Sequence, residues 1–176
     1  YEEKTIIKDI TWQIKAGEFW QLIGPNGAGK TTILSMIIGD NPKAFGQKIT
    51  LFGKPKGSGE AVWDIKKQIG YFTPSMTNLF GRSTTAEHML VSGIFDSIGL
   101  YKIPSERQLR LANEWLKLLG FQPFKNTPFY RLTPGQQRLI MITRAMIKHP
   151  PLLILDEPTA GLDDHNALLV TTLINK

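Results

Sequence analysis

The chain contains no cysteine. That excludes a disulfide framework, a thiolate metal site and a cysteine nucleophile. It fits a reducing compartment, although secretion is equally compatible with it. No run approaches the roughly 20 apolar residues that span a bilayer. No leading segment joins a basic stretch to an apolar core and a small-residue cleavage site. The expectation is a soluble, cytoplasmic chain that meets the inner membrane only through a partner. Acidic residues are outnumbered, giving a net charge of +6 over 176 residues. A mildly basic surface accounts for that charge. Nucleotide phosphates or nucleic acid are the alternative, but the longest basic cluster, Lys54-Pro55-Lys56, is short and has no interleaved aromatics. What is present, 41% apolar and 20% charged residues, suits one globular domain.

Two apolar-rich runs flank Ala16-Gly17-Glu18. The second, Phe19-Trp20-Gln21-Leu22-Ile23, reads as a buried strand ending at Gly24. Lys30 to Ile38 suits a helix stopped by Gly39-Asp40-Asn41-Pro42. Ile49–Phe52 and Ile69–Phe72 are short strands, with a turn at Gly57-Ser58-Gly59-Glu60 between them. Thr84 to Ile98 and Ser105 to Leu119 read as helices. Leu109, Ala112, Trp115, Leu116 and Leu119 fall on one face of the second, which Ser105 opens and Gly120 closes. A further helix runs from about Gly135 to Lys148. His149-Pro150-Pro151 ends it, Leu152–Leu155 is a fully buried strand, and residues 164–175 form a last helix. Strand, loop and helix at the front with a late buried strand predict an α/β fold with a mainly parallel sheet. Residues 83–149 would be an inserted helical subdomain, with 1–82 and 150–176 as the core.

Three segments carry chemistry. Gly24-Pro25-Asn26-Gly27-Ala28-Gly29-Lys30-Thr31 fits G-x-x-x-x-G-K-[ST] between a strand and a helix. Its glycines let backbone N–H groups wrap phosphates, and the following helix adds its positive end. Lys30 would reach the β- and γ-phosphates, the Thr31 hydroxyl would hold Mg²⁺, and Thr32 would add a phosphate contact. Leu152–Leu155 delivers Asp156 and Glu157 to a strand's C-terminal end, where α/β sheets bind ligands. Asp156 would hold Mg²⁺, and Glu157 would orient and activate an attacking water. Leu132-Thr133-Pro134-Gly135-Gln136-Gln137-Arg138 is a helix start, with Thr133 as cap and Pro134 in the first turn.

In this order the three segments resemble the ATP-binding cassette (ABC) family, over nearly the whole chain. Gly24–Thr31 resembles its Walker A motif and a P-loop NTPase core. Leu152–Glu157 resembles Walker B with the catalytic glutamate, Leu132–Arg138 the L-S-G-G-Q signature, and Gly161-Leu162-Asp163 the D-loop. Tyr1 stands where the family stacks an aromatic on adenine. A narrower likeness lies in Gly57–Glu60, Trp63–Lys67, Phe95–Gly99 and Gly135–Leu139. It is to the C-terminal cassette of soluble tandem-cassette proteins linked by name to molybdenum transport or photorepair. The resemblance implies ATP and Mg²⁺ as ligands, ATP hydrolysis, an N-terminal antiparallel β portion, and a head-to-tail dimer with a second cassette. Thr133, Gly135 and Gln136 would then touch a γ-phosphate held by the partner, with Asp163 near the seam. Hydrolysis would need both halves.

Three departures qualify this. Pro134 replaces a glycine and removes a backbone N–H. Thr73-Pro74-Ser75-Met76 replaces the stretch where the family places a Mg²⁺-contacting glutamine that couples to a transmembrane subunit. Ser75 is the substitute ligand this sequence offers. The chain also ends before the family's last strand and switch histidine. His88, His149 and His165 do not match that histidine and read as structural or solvated. A trimmed cassette with weak hydrolysis on its own is expected. The alternatives are an energising subunit of a transporter, a nucleic-acid-associated cassette, and a module that binds ATP without hydrolysing it.

Overall fold

The computed structural model describes residues 7–44, 46–59 and 61–175. Tyr1, the expected adenine contact, lies outside them. The chain divides into two units, Tyr1–Lys66 and Lys67–Lys176.

In the first unit, α1 (Lys30–Ile38) follows Gly29 at φ 92° and stops at Gly39 at φ 94°. Both glycines sit in the left-handed region, which a side chain disfavours. The Gly39 N–H donates to the Ser35 carbonyl at 3.1 Å, and the Lys56 ammonium donates to the Met36 carbonyl at 2.5 Å. A cation on the last carbonyls suits the negative end of the helix dipole. β1 (Thr50–Leu51) pairs antiparallel with β2 (Lys54–Pro55). The connecting Phe52 and Gly53 lie at φ 52° and 80°, the positive pair that a two-residue hairpin needs to match strand twist. The antiparallel β portion expected at the N-terminus is therefore found at residues 50–55. α2 (Val62–Lys67) ends at the division between the units.

The strand expected at Phe19–Ile23 is not formed. Those residues are irregular, and Phe19, Trp20 and Ile23 are 78%, 52% and 80% exposed. A strand's hydrogen bonds come from neighbours distant in sequence, and among the described residues none pairs with this segment. Instead Trp20 stacks edge-on against Trp12 at 5.8 Å and donates to the Glu18 carboxylate at 3.0 Å.

The second unit is built on a parallel pair, β3 (Ile69–Phe72) with β4 (Leu152–Leu155), in the register Ile69↔Leu152 to Phe72↔Leu155. α3 (Ala86–Ile94), α4 (Glu106–Leu118), α5 (Pro134–Met146) and α6 (Asp164–Ile174) complete it. Phe72, Met89, Leu90, Leu116, Ile140 and Ile142 are buried in its core. On α4 the predicted face holds: Ala112 and Leu116 are buried, and Leu109, Trp115 and Leu119 pack against them. β4 is less buried than expected. Only Ile154 is buried, because among the described residues the strand has one neighbour, β3. α3 is also shorter than Thr84–Ile98. Asp96 turns to φ 53°, and the Ser97 N–H returns to the Ser92 carbonyl at 3.1 Å.

Two glycines allow close approach of backbones. A Cβ on Gly70 would lie 2.2 Å from the Ala145 carbonyl oxygen, and one on Gly93 2.3 Å from that of Arg144. Arg144 is buried, and that desolvation pushes its guanidinium down to about 10 against a partial opposing pull from Asp96. It stays satisfied through the Ser92 hydroxyl at 3.0 Å and the Ser97 carbonyl at 2.8 Å, over the Phe80 ring at 5.0 Å. Lys148 pairs with Asp96 nearby. No helix among the described residues is long and apolar enough to cross a membrane.

Candidate functional site

The Gly24–Thr31 loop turns tightly. The Ala28 N–H donates to the Pro25 carbonyl at 3.2 Å, and Gly27 and Gly29 adopt φ 81° and 92°. A Cβ on Gly27 would meet nothing within 4 Å, so this glycine serves backbone conformation and leaves the inside of the loop open. The Lys30 ammonium folds back and donates to the carbonyls of Gly24 at 2.8 Å and Pro25 at 3.0 Å. α1 starts without a side-chain cap among the described residues. A glycine at the cap position has no side chain to occupy the positive end of the helix, the end that suits an anion. Gly29 is buried, Lys30 and Thr32 half-buried, and Pro25, Asn26, Ala28 and Thr31 exposed.

The second unit carries the carboxylates. Asp156 follows β4, and its N–H donates to the Phe72 carbonyl at 2.8 Å, one step past the last paired residues. It is half-buried, whereas Glu157 is exposed. Glu157 has φ 47°, a left-handed conformation that costs a non-glycine residue roughly 1–2 kcal/mol. Such strain persists where the surroundings hold it. The Ala160 N–H returns to the Glu157 carbonyl at 3.3 Å, closing a turn.

α5 begins in a reciprocal cap. Thr133 Oγ1 accepts from the Gln136 N–H at 3.3 Å, and Gln136 Oε1 accepts from the Thr133 N–H at 3.0 Å. Pro134 occupies the first helical position, where its missing N–H would have had no intrahelical partner. Gly135 is buried against Asn166: a Cβ there would stand 2.4 Å from the Asn166 carboxamide carbon. Asn166 belongs to the first turn of α6, capped by Asp163. The Asp163 carboxylate accepts the Asn166 N–H at 2.9 Å and its side-chain N–H at 2.7 Å, and these bonds hold it below the usual carboxyl range. The second unit thus brings Gly135 and Asp163 together through Asn166. Ser75 lies in a 3₁₀ turn, Pro74–Leu79, following β3.

Sequence reasoning assigned no role to Arg138 or Asn166. Arg138 Nη1 donates to the Glu157 carbonyl at 3.1 Å and Nη2 to the Ala160 carbonyl at 3.0 Å. Its partners lie 19 and 22 residues away, so no local pattern marked it. Asn166 does carry a local signal, the i to i+3 spacing from an N-capping aspartate.

The residues can be tested against the ligands they suggest. A glycine loop with an uncapped helix start and a lysine over it suits a polyphosphate. The Thr31 hydroxyl and Asp156 carboxylate are hard oxygen donors, as Mg²⁺ requires. Among the described residues no group of three or more His, Cys, Asp or Glu could hold a metal ion.

Comparison with known proteins identifies the family. The family described as "ABC transporter" matches residues 7–160. The chain is 47% identical to the ABC transporter ATP-binding protein ModF of Escherichia coli K12, over 99% of this chain and 36% of that protein. The chain therefore spans about a third of ModF's length. It is 32% identical to the manganese transport system ATP-binding protein MntB of Listeria innocua, over 100% of this chain and 70% of that one. The fold is similar to the dimeric structure of a post-hydrolysis state of the ATP-binding cassette MJ0796 bound to ADP and Pi. The TM-score there is 0.76 with 27% identity, over 97% of this chain and 74% of that chain. A second dimeric structure of MJ0796 gives a TM-score of 0.80 at 25% identity, with the same coverage.

Proposed function

The chain belongs to the ABC transporter family, and from that premise we propose that it binds ATP with Mg²⁺ and hydrolyses it as one half of a cassette dimer. The observation that carries this reading is the Gly24–Thr31 loop, with Lys30 held over it at 2.8 and 3.0 Å and α1 opening uncapped behind it. Gly24, Asn26, Gly27, Ala28 and Gly29 offer backbone N–H groups to the phosphates, and Pro25, which has none, shapes the loop. Lys30 exchanges its carbonyl partners for phosphate oxygens, and Thr32 adds a hydroxyl. Thr31 and Asp156 hold the metal, which, when bound, offsets phosphate charge. Glu157 accepts the proton of the attacking water. Tyr1 stacks on the adenine. Residues 1–176 act as a single nucleotide-binding domain, with 83–149 as its helical subdomain.

Thr133, Gly135 and Gln136 serve a second cassette. The dimeric structures of MJ0796 support that arrangement, and the ModF likeness supports a tandem form of it. A second reading, the energising subunit of a transporter, draws on the likeness to MntB. The substitution of Thr73-Pro74-Ser75 for the family's coupling glutamine weighs against it. The test is nucleotide affinity of the wild-type chain and of Lys30→Ala. A loss of at least tenfold, about 1.4 kcal/mol, is expected. Equal affinity would remove the phosphate-loop assignment. In the full-length protein, Glu157→Gln should trap ATP in a stable dimer, and unchanged turnover would reduce the cassette to a binding module.

A further inference from the structure

Arg138 lies just past the first turn of α5, the signature helix, but contacts a different motif. Its fork reaches two carbonyls three residues apart, those of Glu157 and Ala160, so it spans the turn that carries the Glu157 side chain. Its guanidinium also lies over the Phe72 ring at 5.3 Å. Phe72 is fully buried and ends β3, so Arg138 is seated on a fixed platform. The bonds go to backbone oxygens, and the Glu157 residue stays exposed. Glu157 itself is left-handed at φ 47°, a conformation that needs outside support. A second contact ties the start of α5 to the start of α6, just beyond that turn, since Gly135 rests against Asn166, which bonds to Asp163.

We infer that Arg138 is a positioning residue for Glu157: it fixes the turn that presents this carboxylate, so each cassette's signature helix sets the geometry of its own base. The inference rests on the reading of Glu157 as the base. The shape of the donor matters. A planar fork holds two acceptors at once, whereas a lysine ammonium supplies a point charge on a flexible stem. The helix start that would face the partner's nucleotide is thereby bonded to the turn that serves this chain's own nucleotide.

The test uses the full-length protein with Arg138→Met, which keeps bulk and removes the donors, and with Arg138→Lys. Two readouts are needed: kcat and KM for ATP, and hydrogen exchange over residues 157–162 without nucleotide. Arg138→Met is expected to lower kcat by about 10²-fold, the scale of a small misplacement of a reacting group, with KM within about twofold. Exchange at the Ala160 and Leu162 amides should quicken while α5 stays protected, and Arg138→Lys should recover part of both. Unchanged kcat or unchanged exchange at 157–162 would overturn the inference. So would faster exchange along all of α5 with a matching fall in Tm, which marks a role in folding alone. Glu157→Gln separates the two readings. If it turns over normally, the base assignment fails and this inference with it. If it is inactive beside a fully active Arg138→Met, this inference alone fails.

Discussion

In the first unit Phe19, Trp20 and Ile23 stand in solvent, and the buried apolar residues among those described are Ile38, Ala44 and Ile65. In the second, one continuous cluster runs from Phe72 through α3, α4 and α5 to Leu173. The helix starts differ as well. α3, α4, α5 and α6 are each capped by a side chain, from Thr85, Ser105, Thr133 and Asp163, whereas α1 has none among the described residues. Helices satisfy their backbones internally and need only one face covered, so a run of amphipathic helices assembles its own core. A strand such as the one expected at Phe19–Ile23 depends on partners remote in sequence. The second unit has a continuous core of its own, and the first, which carries the Gly24–Thr31 loop, buries few apolar residues among those described.

The sharpest way to break that contrast is to disturb the closest backbone approach. Gly70→Ala places a methyl 2.2 Å from the Ala145 carbonyl oxygen and should destabilise the second unit by about 3 kcal/mol, at the upper end of overpacking effects. Urea unfolding checks it, and wild-type stability would mean that α5 and β3 are not in contact there. Next, Ile142→Ala in the core should cost roughly 2–5 kcal/mol, while Phe19→Ala, already exposed, should stay within about 0.5 kcal/mol. A large penalty at Phe19 would show that this segment is buried in solution and erase the contrast. Ser105→Ala removes half of the α4 capping box and should cost about 1 kcal/mol, read as a fall in Tm.

The smallest effect is one of pH. The Asp163 carboxyl is held below its ordinary value of 3.8, first by the Asn166 backbone N–H and then by the Asn166 side chain. Its contribution to the α6 cap is fully present above pH 3.8 and is lost as pH falls through the lowered value. Protection of the amides in the first turn of α6, taken relative to their intrinsic exchange rate at each pH, should therefore fall only on acidification below about 3.8. Asp163→Asn, which still caps, should flatten that response.

How much of this was legible depended on how local each signal was. α1, β3 and β4 fall within their predicted bounds because glycines, prolines and caps mark the ends. Ser105 with Gln108 and Thr133 with Gln136 mark α4 and α5 in the same way. The Gly24–Thr31 loop stood out because its pattern lies in eight consecutive residues. The partial exposure of β4 was not, since a run of four aliphatics does not state how many neighbours it will find. Arg138 was hidden for the same reason: the carbonyls it grips belong to a turn brought near only by folding.

The missing side chain at Gly70 has a mechanical consequence. With no methyl to act as a cushion, the strand and the helix bear directly on each other, backbone against backbone. Surfaces seated this way cannot slide by repacking a rotamer. The spacing of β3 and α5 is therefore set by main chain alone, and the Pro74–Leu79 turn begins two residues beyond the strand so fixed.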